Sequence, residues 1–73
     1  MNNEVIDVMT KLYKPLTTDI ELYTAAIEKR IVGVFIGKER IGRGIMSEIT
    51  EVSVKIEGER FMRANCSFWI EED

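Results

Sequence analysis

Apolar residues recur at two different spacings along this 73-residue chain, and the change falls near Glu28. Before it, Val5, Val8, Met9, Leu12 and Leu16 follow one another at intervals of three and four, which gathers side chains on one face of a helix. Asn2 or Asn3 can cap its start through the side-chain oxygen. Glu4 and Asp7 stand in the first turn and Lys11 and Lys14 in the last, the signs the helix dipole favours at each end. Pro15 disfavours helical geometry at Lys14 and ends the element.

The next segment carries two patterns. Thr18-Asp19-Ile20-Glu21 fits a capping box, with Thr18 as the cap and Glu21 reaching back to it. Ile20, Tyr23, Ala26 and Ile27 then share the apolar face of a short helix. Ile20, Leu22, Thr24 and Ala26 also alternate as a strand would, with little contrast between the two faces. Helix is the preferred reading.

After Glu28 the period becomes that of a sheet. Ile31 to Ile36 is an almost continuous run rich in β-branched residues, as in a strand covered on both faces. Gly37 to Arg40 is a turn. Ile41, Ile45 and Ile49 mark the next strand, in which Gly42 and Gly44 predict a sharp bend or a close backbone approach. Val52, Val54 and Ile56 alternate with Ser53 and Lys55. Gly58-Glu59 reads as a two-residue hairpin turn, which places Ile56 opposite Phe61 and Glu57 opposite Arg60. Arg60–Ala64 and Cys66–Ile70 complete about five strands. The expected fold is α+β: an N-terminal helix, or two short helices, over residues 1–28, then a strongly bent antiparallel five-stranded small barrel over 29–70, then an acidic tail at 71–73. A flat sheet under one or two helices is the alternative. One domain accounts for the whole length.

Composition narrows the function. A chain this short buries only roughly 60% of the surface its unfolded form exposes, so self-association is an ordinary route to further burial, and a homo-oligomer is expected. The single cysteine, Cys66, rules out an internal disulfide. The absence of histidine removes the commonest metal ligand and the usual base for nucleophilic catalysis. Glu48 with Glu51, and Glu57 with Glu59, are the only close carboxylate pairs in the β half, and they read as solvated groups at turns. No enzyme, cofactor or metal is expected. The charge of −3 opposes a non-specific grip on polyphosphate. No apolar run reaches the length of a membrane span, so no membrane partner is expected. A free thiol with no secretory signal fits a reducing cytoplasm.

Two binding surfaces suggest themselves. Trp69 alternates to the face opposite Cys66, Phe68 and Ile70, so it points outward if those three point in. It is then either a partner-protein anchor or covered by the helical segment. Tyr23 is a second candidate for partner binding. The other surface is a basic cluster of Lys29, Arg30, Lys38, Arg40 and Arg43, extended by Arg60 and Arg63, with Phe61, Phe68 and Trp69 as stacking aromatics. Glu28, Glu39, Glu57 and Glu59 are interleaved with it and can pair with those cations.

The β half resembles the Sm-like, Hfq-type family of small β-barrel proteins. Gly37-Lys38-Glu39-Arg40-Ile41-Gly42 matches the family's paired glycines, and Glu48 stands where many members carry an acidic residue. Met62-Arg63-Ala64-Asn65 before Cys66–Ile70 is similar to its second motif, with Ala64 in place of glycine. The family's base-contacting asparagine would fall near Val52, which cannot read a base. The resemblance implies a bent barrel, a possible ring, and RNA or DNA contacts from Arg63 and Asn65; independently of it, Lys38, Arg40 and Arg43 of the basic cluster are candidate nucleic-acid contacts. The reading placed first is a non-enzymatic protein-interaction module, a regulator, adaptor or inhibitor that self-associates. A nucleic-acid-binding Sm-like protein is the alternative.

Overall fold

A computed structural model describes residues 12–71. The expected helix positions Val5, Val8 and Met9, with the caps at Asn2 or Asn3, lie outside them. Within them the chain forms β1 (Leu12–Pro15), α1 (Asp19–Ile27), β2 (Val32–Ile36), β3 (Glu39–Gly44), β4 (Met46–Ile49), β5 (Ser53–Ile56), β6 (Glu59–Met62) and β7 (Ser67–Glu71). Over the described residues the architecture is α+β: one helix with two antiparallel sheets, ordered β1-β7-β2-β3 and β4-β5-β6.

The first correction falls at Leu12–Leu16. These residues do not continue a helix. Leu12 pairs with Glu71, Lys14 with Ile70 and Pro15 with Trp69, and the Leu16 N–H donates to the Phe68 carbonyl at 2.8 Å. An open edge of β7 offers unpaired backbone groups, and pairing with them outweighs the local helical spacing. Pro15 is tolerated because β1 is itself an edge strand, where a missing N–H costs no ladder bond.

α1 begins as the capping box predicts. The Glu21 N–H donates to Thr18 Oγ1 at 3.1 Å, and the Thr18 N–H donates to Glu21 Oε1 at 3.1 Å. At the other end, Arg30 N–H reaches the Ala25 carbonyl and Lys29 N–H the Ala26 carbonyl, a Schellman closure that puts Lys29 at φ 57. The buried face is not the expected one. Leu22 and Ala25 are buried, with Ala26 packed beside them, while Ile20 and Ile27 are each 78% exposed and Tyr23 is half exposed. The apolar residues of this helix encircle most of it, so the spacing alone did not select a face. Two alanines flanking Leu22 let the helix approach the sheets more closely than an isoleucine face would.

The core lies between the sheets. Val32 and Val34 from β2 and Val54 and Ile56 from β5 are fully buried, joined by Phe61, Phe68, Ile70, Met46 and Leu16. Each such side chain contributes about 1.5–3 kcal/mol relative to exposure. β3 and β4 form one bent strand in which the sheets meet. Gly42 leaves room for the Phe61 ring, whose Cζ would stand 2.6 Å from a Cβ there, and Gly44 at φ +154 turns the chain under Glu57 and Ile56.

The closed barrel is not found. β7 already has β2 on one edge and β1 on the other, so no edge of β7 remains for β6 to close upon. The flat-sheet alternative is also set aside, because the bend divides the strands into two sheets. The β5–β6 hairpin is shifted as well. Its turn is Glu57-Gly58, both at positive φ (53 and 83), and the register pairs Ile56 with Glu59, Lys55 with Arg60 and Val54 with Phe61. Positive φ at both central residues matches the twist of the flanking strands, so the turn forms there in spite of Glu57. Val52, expected inward, is 60% exposed because Thr50 turns the chain, its hydroxyl accepting from the Val52 and Ser53 N–H groups. Among the described residues no helix is long and apolar enough to cross a membrane.

Candidate functional site

An apolar cleft of about 330 Å³ lies beside Trp69. Three segments build it: Pro15 at the end of β1 with Leu16 and Thr17 after it, Leu22 of α1, and the stretch from Arg63 through Cys66 to Trp69 that enters β7. Leu16, Leu22 and Phe68 are buried and form its apolar floor. Trp69 stands half-buried beside Pro15, its cross-strand partner, and its indole N–H donates to Ser67 Oγ at 3.2 Å. Cys66 is partly covered, and burial pushes its thiol pKa up.

Arg63 forms one wall of this cleft and is held there by two hydrogen bonds. Its Nη2 donates to Asp19 Oδ1 and its Nη1 to the Thr50 carbonyl, both at 2.6 Å, leaving the side chain 21% exposed. It ties the start of α1 to the turn before β5. Asn65 follows in the same loop with an exposed side chain, and its backbone N–H returns to the Met62 carbonyl at 3.1 Å.

The basic residues do not assemble into one patch. Lys29 and Arg30 precede β2 and Lys38 follows it, so they stand at opposite ends of a five-residue strand, roughly 17 Å long. Most of the cations meet acids of the same chain. Arg60 bonds Glu48 at 2.7 Å, and that hydrogen bond holds the Glu48 pKa below its ordinary value. Arg30 lies 3.5 Å from Glu28. Lys14 lies 3.9 Å from Glu21, whose pKa is lowered first by the Thr17 backbone N–H and then by that of Thr18. Arg60 therefore pairs with Glu48, and the register expected to bring it to Glu57 is the one the hairpin does not adopt.

Arg40 and Arg43 share a partner, Glu71, that was expected in an acidic tail. Glu71 is the last residue of β7, and its side chain is only 7% exposed. Its Oε1 accepts from Arg40 Nη1 at 3.1 Å and from Arg43 Nε at 2.9 Å. Its Oε2 is buried without a hydrogen-bond partner. Gly33, between Arg43 and Trp69 across the strands, makes the burial possible: a Cβ there would overlap the Glu71 carboxylate and press on the Phe35 ring. The sequence did carry a signal, since Glu71 alternates onto the same face as Trp69. Its notch at Gly33 and its arginine partners are long-range and had none.

Tyr23 lies away from the cleft. Its hydroxyl donates to the Ile49 carbonyl of β4 at 3.2 Å, which anchors α1 to the second sheet. No protein-family model, curated protein or solved structure matches the chain.

Proposed function

We propose that this chain is a non-enzymatic protein-interaction module that self-associates, and that the cleft beside Trp69 receives an apolar side chain of the partner copy. The observation that carries the reading is the juxtaposition of a half-buried tryptophan, a proline and a buried aliphatic floor around about 330 Å³ of open space. A half-buried aromatic at the mouth of an apolar concavity has the character of an interface anchor. Large apolar side chains left on the outside of the sheets, Ile36, Val52 and Met62 among them, supply matching surface on a second copy. The nucleic-acid alternative loses support, because Arg40, Arg43, Arg60 and Arg63 are spent on Glu71, Glu48 and Asp19, leaving Lys38 without an acidic partner among the described residues.

Trp69 is the only tryptophan, so its emission reports on this cleft alone. Light scattering should give a mass above that of one 8.4 kDa chain, with Trp69 emission moving to the red on dilution as the cleft opens to water. Trp69→Ala should lower the mass to that of a single chain. A monomer at high micromolar concentration overturns the proposal. So does single-stranded RNA binding that is salt-sensitive and vanishes in Arg63→Ala.

A further inference from the structure

The turn between β4 and β5 holds one apolar side chain away from the core. The Thr50 hydroxyl accepts from the Val52 N–H at 3.2 Å and from the Ser53 N–H at 2.9 Å, and the Thr50 N–H returns to the Ser53 carbonyl at 2.8 Å. Such a turn fixes the backbone at Val52, and a β-branched side chain has little rotamer freedom of its own. Val52 is 60% exposed, so the chain holds a short, rigid apolar knob in water. The knob stands next to the Trp69 cleft. Arg63, which walls the cleft, donates its backbone N–H to the Val52 carbonyl at 2.8 Å and its Nη1 to the Thr50 carbonyl at 2.6 Å. Met62, the residue before Arg63, is 46% exposed and broadens the knob. Ile36, by contrast, ends β2 in the other sheet, and Ile20 lines a different concavity. The Arg63 charge is met by Asp19, so an apolar side chain seated against this wall strands no charge.

We infer that each Val52 seats in the Trp69 cleft of a second copy, across a two-fold axis close to Arg63, so that the assembly closes at two chains. The dimer rests on the cleft being the self-association surface; Val52 as its occupant and closure at two go beyond that reading. A knob and a hole linked through one residue make a self-complementary patch. Half a turn of one copy brings each knob to the other's hole, and both contacts form together. A knob and a hole set far apart would instead continue from copy to copy into a ring or a filament. The Thr50 turn has already restricted Val52 before association, which lowers the ordering cost of seating it.

Cys66 lines the cleft and supplies the probe. The full chain carrying Val52→Cys/Cys66→Ser is mixed with the unaltered chain and mildly oxidised, so that a disulfide from position 52 to Cys66 forms only between chains. Expected is that mixed disulfide as the main cross-linked product, read by intact mass. Light scattering of the unaltered protein should give the mass of two 8.4 kDa chains. Val52→Asp should leave single chains. Val52→Thr keeps the shape of the knob and the turn that holds it but adds a hydroxyl, and should raise the dissociation constant about tenfold. A dimer that survives Val52→Asp but not Trp69→Ala, or the absence of a disulfide between position 52 and Cys66, overturns Val52 as the occupant and leaves the cleft reading standing. A mass above two chains overturns the two-fold closure. A monomeric unaltered chain overturns this dimer and the cleft reading together.

Discussion

The clip between Glu71 and its two arginines predicts an asymmetry that a count of salt bridges would miss. Removing the acid and removing the cations break the same two hydrogen bonds but leave different groups behind. In Glu71→Leu the arginines remain, each about half exposed (47% and 48%), and water replaces the lost carboxylate. The substitution also deletes an oxygen buried without a partner, whose desolvation costs about 1–3 kcal/mol. Against the lost charge-assisted bonds, about 1.5–3 kcal/mol each before discounting for exposure, the net cost should be about 1 kcal/mol. In Arg40→Ala/Arg43→Ala the carboxylate stays in the Gly33 notch with Oε1 stripped of both arginines and Oε2 still without a partner. Stranding a buried charge in this way costs about 3–5 kcal/mol. That approaches the whole stability expected of a chain this size, so the double variant should be largely unfolded at 25 °C. Adding Glu71→Leu to the double variant should restore folding, because it removes the stranded charge. Urea denaturation at pH 7, followed by Trp69 fluorescence, measures all four proteins. The reasoning is refuted if the double variant is as stable as Glu71→Leu alone, or if the triple variant is no more stable than the double.

Three further predictions follow from local geometry. Gly33→Ala should destabilise by about 1–3 kcal/mol although alanine ordinarily suits a strand better than glycine, because the new methyl overlaps the Glu71 carboxylate; thermal melts should show most of the loss recovered in Glu71→Ala. Lys29→Gly should stabilise by about 1 kcal/mol, since Lys29 closes the α1 C-terminus at φ 57 where glycine carries no Cβ penalty, and the melting temperature should rise by about 4–8 °C. Glu21 and Glu48 have folded pKa values below their ordinary 4.5, so the stability they confer is complete above that pH and is lost as pH falls through the depressed folded values. Chemical denaturation between pH 6 and about 2.5 should show that decline, and Arg60→Ala should make it shallower by releasing Glu48.

The comparison of pattern with fold divides along the range of the interactions involved. The capping box of α1 was legible because all its partners lie within four residues, and Thr18 with Glu21 completes it without reference to the rest of the chain. The strands from Ile31 onward were legible because β-branched alternation is itself a record of one face buried. Val54, Ile56, Phe68 and Ile70 lie where that alternation puts them, whereas Ile36, in the run expected to be covered on both faces, is half exposed. Gly42 and Gly44 announced the bend between β3 and β4 for a similarly local reason, namely that a side chain there has no room.

Tertiary structure decided the rest, wherever two local choices were nearly equal in energy. Leu12–Pro15 has helical spacing, and the open edge of β7 made it a strand. That same pairing left β7 without a free edge, so the strands that were read as a cylinder became two sheets. α1 is apolar around most of its circumference, and only the shape of the core it meets turned Leu22 and Ala25 inward and left Ile20 and Ile27 outside. Glu71 looked like the start of an acidic tail and is buried, because a missing side chain 38 positions earlier opened a notch and two arginines on a third strand closed over it. Short-range hydrogen bonds and side-chain periodicity are written into neighbouring residues; which face, which edge and which charge partner prevails depends on residues that meet only once the chain has folded.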